Sequence, residues 1–165
     1  MTFVVPFDGS ALAEAALVRA SEYGAALNED ITVVTVVPER KRYAREKGWI
    51  DADESFDVDA TVERLRERVA ELVPDASFEY ERIREFPPER RIADHIERLA
   101  LAQDPSVVFL GSDNVGRVVT PLTSVGVHIA AEESYDVFVV RHRTPPKLEA
   151  VDPHDEFYRE TGSDE

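Results

Sequence analysis

Apolar and polar positions along the chain fall into two alternating rhythms. Residues 2–7 (TFVVPF), 31–37 (ITVVTVV), 106–111 (SVVFLG) and 136–141 (DVFVVR) are short, nearly continuous apolar runs rich in β-branched residues. Such runs predict strands covered on both faces. Between them the spacing changes to i, i+3, i+4, i+7. Ala13, Ala16, Leu17, Ala20, Gly24 and Leu27 share one helix face. Ser10, with Asp8, is placed to cap that helix, and Asn28-Glu29-Asp30 break it. A second helix, Asp57 to Val73, turns Val62, Leu65, Val69, Leu72 and Val73 inward. A third opens at Pro87-Pro88 and aligns Ile92, Ile96, Leu99 and Ala100. A fourth is expected to end at about Ala131. SFEYERIREF, 77–86, alternates weakly and is charged throughout, which marks an edge strand. Residues 38–56 form the longest irregular segment, with room for a short helix around Tyr43; connections of this length often serve as lids or partner surfaces.

Strands alternating with helices, closed by a final strand, predict an α/β fold. Right-handed crossovers leave a parallel sheet with helices on both faces as the economical solution. The chain of 165 residues is one domain's worth, 1–143, followed by a tail, 144–165, that is proline-rich and then acidic and is expected to be poorly ordered.

Composition narrows the function classes. No apolar run is long enough to span a membrane, and the N-terminus lacks the pattern of a secretory signal, so a cytoplasmic protein is expected. With no cysteine, thiolate chemistry is excluded. The formal net charge is -15, with 34 acidic against 19 basic residues. That balance disfavours nucleic acid and anionic lipid, whose phosphates require cations. Only three of the cations are lysines, Lys41, Lys47 and Lys147, and this acidic, lysine-poor, halophilic composition resembles proteins of high-salt cytoplasms.

Candidate chemistry sits at two strand ends. The first is Pro6-Phe7-Asp8-Gly9-Ser10. The second is Leu110-Gly111-Ser112-Asp113-Asn114-Val115-Gly116-Arg117, continuing to Thr123-Ser124-Val125-Gly126. Ligands of open parallel sheets bind beyond the carboxyl ends of the strands, so these segments meet at one crevice if the first and fourth strands are neighbours. Glycine lets backbone amides approach a phosphate, and an acid at the first strand end can accept from a ribose hydroxyl or hold a phosphate-bound cation. Each segment also has a plainer reading, as a turn and a helix cap.

VVPFDGS before an alanine-rich helix, with ITVVTVV, VVFLGS and DVFVVR in order, resembles the universal stress protein family over residues 2–142. The resemblance implies strand order 3-2-1-4-5 and a homodimer paired through the last strand, 136–141. It also implies ATP, with Mg2+, as ligand of the nucleotide-binding members. In those members the first-strand acid, second-strand backbone and a Gly-x2-Gly-x9-Gly-Ser/Thr loop hold the nucleotide. Asp8 matches the acid, Val36 the adenine-contacting strand position and Gly111 the first loop glycine. The rest departs from the pattern. Asn114 stands where the second glycine belongs, Gly116 is offset, Asp113 adds negative charge, and the closing pair falls near Thr123-Ser124-Val125.

Other chemistry has little support. There is no Gly-x-Ser-x-Gly elbow, no Walker loop and no zinc-type histidine pairing; His95 and His128 read as partly buried helix residues. The stretch 51–57 lacks the glycine and glutamate of a calcium loop. Trp49 reads as packing onto the domain. Two functions remain: a stress-response regulator binding ATP or AMP without efficient turnover, or a homodimeric interaction module that binds no nucleotide and meets protein partners through 38–56.

Overall fold

A computed structural model describes residues 2–84, 89–111 and 135–143. The chain order is β1 (Thr2–Pro6), α1 (Ala11–Leu27), β2 (Asp30–Pro38), α2 (Lys41–Glu46), α3 (Val58–Leu72), β3 (Ser77–Ile83), α4 (Glu89–Leu101), β4 (Pro105–Gly111) and β5 (Asp136–Val140). The five strands are parallel in the order β3-β2-β1-β4-β5. This is the order the resemblance implied, with β1 at the centre and 77–83 at an edge. The expected fourth helix and the tail lie outside the described residues.

The strand rhythm explains the two-sided core. Phe3 and Val5 of β1, with Phe7 just beyond it, turn to one face, where they join Val33 and Val37 of β2, Leu17 of α1 and Leu65 and Val69 of α3. Val4 turns to the other face with Val34, Val108, Leu110 and Ala100 of α4. Aromatic rings close the first face near β5: Phe109 lies 5.2 Å from both Phe3 and Phe138, and Tyr23 bridges from α1.

Helix ends follow the capping residues. Ser10 Oγ accepts from the Ala13 N–H at 3.2 Å, and Asp57 Oδ1 accepts from the Ala60 N–H at 3.1 Å. Asn28 takes the left-handed conformation, φ 56°, and ends α1 with its N–H on the Gly24 carbonyl. Two expectations need correction. Leu27 was placed on the buried face but is 58% exposed: it is the last residue before the left-handed turn and has no layer to pack against. Asp8 does not cap a helix amide. Its Oδ1 accepts from the N–H of Ser10, the capping residue itself, at 3.0 Å.

Residues 38–56 are more ordered than their composition suggests. The short helix appears as α2, and Ala44, Trp49 and Ile50 are buried in the main core. Only the stretch from 51 to 55 is wholly exposed.

Candidate functional site

The carboxyl ends of β1 and β4 lie side by side. Register runs Phe3↔Val107 and Val4↔Val108, so both strands finish at the same rim. The first turn of α1 touches both ends. Ser10 caps that turn two residues after Asp8, while Gly111 packs beneath it, with its Cα so close that an added Cβ would lie 2.7 Å from the Leu12 carbonyl. The described parts of the two segments, residues 6–10 and 110–111, therefore lie at one rim.

Around that rim several groups have definite partners. The β1–β2 ladder ends at Phe7, whose N–H donates to the Val34 carbonyl at 2.9 Å. The Thr35 hydroxyl then donates to the Phe7 carbonyl at 2.9 Å, using the acceptor that another rung would have used. Val34 and Val36 direct their backbone groups to the same side of β2, so the Val36 N–H and C=O lie just beyond the point where β1 leaves. The Val36 side chain is buried with Ile83 and Ile92. Leu110 is likewise a core residue, packed on the opposite face from Phe109. Pro6 closes β1 opposite Val34.

Asp8 is the electrostatic centre. Gly9, at φ +78°, turns the chain sharply after it. Its Oδ2 lies 2.6 Å from Lys47 Nζ, with both side chains 13% exposed. Burial pushes the carboxyl pKa up. The Lys47 charge and the hydrogen bonds from Lys47 and Ser10 outweigh that effect, leaving Asp8 below the usual aspartate value and ionised at neutral pH. The indole Nε1 of Trp49 donates to the Asp8 carbonyl at 2.7 Å. Gly48, at φ +72°, reverses the chain between Lys47 and Trp49 so that both reach Asp8. Arg64 of α3 fixes the arrangement by donating to the Trp49 carbonyl at 2.9 Å.

Of the residues singled out by sequence, Pro6, Phe7, Asp8, Leu110, Gly111 and the backbone of Val36 come together at this rim. Ser112, Gly116, Thr123, Ser124 and Val125 lie outside the described residues, as does His128. His95 is partly buried, with Nδ1 2.8 Å from Glu81 Oε1. Sequence reasoning missed Thr35 and Lys47. The second had one signal, as one of very few lysines in an arginine-rich cationic set. Among the described residues no group of three or more His, Asp or Glu is arranged to hold a metal, and no helix is long and apolar enough to cross a membrane.

Comparisons with known proteins agree with this architecture. The model of the universal stress protein family matches residues 1–141. A crystal structure of a universal stress protein in complex with cAMP superposes with a TM-score of 0.52 at 20% identity, covering 87% of this chain and 98% of that one. A protein of the same family from Burkholderia pseudomallei gives 0.53 at 20% identity, covering 86% and 96%. At these identities the likeness is one of fold. No curated protein sequence matches the chain.

Proposed function

The chain belongs to the universal stress protein family, and from that premise we propose that it is a regulatory member binding ATP or AMP at the β1–β4 rim without efficient turnover. The observation that carries the reading is the meeting of the Asp8 loop, the end of β4 and the first turn of α1 at one place. The Val36 backbone supplies a donor and an acceptor there for a purine edge. A solved relative of the same fold is a cAMP complex, which supports a nucleotide as the ligand class. Ser112, Gly116, Thr123, Ser124 and Val125 complete the proposed phosphate side. Binding rather than catalysis is the role assigned.

The test is identification of the small molecule retained after gentle purification, followed by calorimetry with ATP, AMP and cAMP, with and without Mg2+. Retained adenine nucleotide and saturable heat are expected. Nucleotide-free protein that gives no heat with any of the three ends the reading. Gly111→Val is unsuitable for this purpose, because its side chain would strike α1 whether or not a ligand binds.

A second reading, a homodimeric interaction module without nucleotide, is favoured by one specific observation. Both Asp8 oxygens already have partners, Ser10 and Lys47. In either reading the protein acts in the cytoplasm as a homodimer joined through β5 and its flank, 136–141. The exposed residues of 38–56, including Lys41, Arg42, Arg45, Glu46 and the stretch from 51 to 55, are available to other proteins.

A further inference from the structure

Lys47 is held at the rim by contacts that do not depend on any ligand. Its ammonium lies 2.6 Å from Asp8 and 5.6 Å from the centre of the Tyr43 ring. An ammonium has three donors, and Asp8 engages one. A largely buried ion pair contributes little net stability after desolvation, so stability alone does not account for a lysine placed here. Its surroundings are also unusual for this molecule. Five of the 19 cations, Arg40, Lys41, Arg42, Arg45 and Lys47, fall within eight residues, in a chain of net charge -15. Tyr43 also walls a cavity of about 200 Å3 shared with Arg40, Arg42 and Glu46. Within 40–47 the five cations meet one acid, Glu46, which Arg42 engages at 3.1 Å.

We propose that Lys47 is the phosphate-binding residue of this site, with Asp8 as the residue that positions it, and that the ligand is a phosphorylated nucleoside rather than a free nucleoside. This assignment rests on the nucleotide reading above and deepens it. Asn114 and Asp113 remove one glycine from the family's loop and add a negative charge. The Lys47 ammonium, set by Asp8, supplies a compensating positive charge at the rim. Asp8 then acts through Lys47 and does not itself grip the ribose.

The experiment compares ATP with adenosine by calorimetry on the wild type, Lys47→Met, Lys47→Arg and Asp8→Asn/Lys47→Met. The double variant removes both charges together, so a folded protein is available even if Lys47→Met strands the Asp8 carboxylate. Lys47→Met and the double variant are expected to lose at least about tenfold in ATP affinity while adenosine changes by less than about twofold. Lys47→Arg is expected to keep most of the preference for ATP. Unchanged or tighter ATP binding in the folded variants overturns the assignment and makes Lys47 a lock on the site. Parallel loss of adenosine in the double variant also overturns it, since Asp8 would then hold the ribose. A wild type that binds neither compound overturns the nucleotide reading itself, and this inference falls with it.

Discussion

A Cβ on Gly111 would meet the Leu12 carbonyl at 2.7 Å and the Ala13 nitrogen at 2.9 Å, all backbone atoms that cannot step aside. Gly111→Ala should therefore lower the unfolding free energy by about 2 kcal/mol or more, read from the urea midpoint; an unchanged midpoint contradicts it. Gly48 has open space around its Cα, and only its φ of +72° demands glycine. Gly48→Ala should cost about 1–2 kcal/mol, entirely from the backbone. Asp8 brings a pH dependence. Its folded pKa lies below the unfolded value, so its contribution is full above that unfolded value and fades as pH falls through the folded one. Stability should fall with acidification below about pH 4, and the slope in that window should be shallower in Asp8→Asn. Asp8 and Gly111 were legible because strand ends announce themselves in the hydrophobic pattern. The reason for Gly111 was not, since a glycine that admits a helix and one that admits a phosphate look alike in sequence. Lys47 was invisible as a partner: 39 residues separate it from Asp8, and no periodicity links a loop lysine to a strand end.

Among the elements, those with the strongest periodicity were read most completely. α1, α3, β2 and β4 fall within one or two residues of their expected spans, because burial on one or both sides repeats along each of them. β3 was read as an edge from its charges, and its outer residues are indeed solvent-facing, with Arg66 of α3 lying over the Phe78 and Tyr80 rings. The 38–56 segment was read least well. Its order comes partly from long-range anchors such as the Asp8 carboxylate, the Asp8 carbonyl and Arg64, none of which has a local signature. The caps offer a clean test at this scale. Ser10→Ala and Asp57→Ala should each cost about 1 kcal/mol by urea denaturation. They sit at the starts of different helices and share no partner, so the double variant should match the sum within about 0.5 kcal/mol. A larger discrepancy would mean that α1 and α3 are coupled at their starts.

For the molecule as a whole, a net charge of -15 implies self-repulsion that added salt relieves. Raising NaCl from about 0.02 M to about 0.5 M, where screening falls to a few ångströms, should raise the melting temperature by several degrees. A flat response would mean that the charges are already locally paired. The proposed dimer is checked by light scattering at micromolar concentration, where a monomer mass would contradict it. The sheet order has a consequence for how the chain is made. β1 leaves the ribosome first yet becomes the innermost strand, and the contact it forms with β4 spans 104 residues at Ser106–Thr2. Val4 and Val5, which the finished fold seals completely, remain uncovered on one flank until Val107 and Val108 have been synthesised. Until β4 is made the nascent chain thus carries an apolar strand half-clothed, and closure of the sheet waits on residues more than a hundred positions downstream.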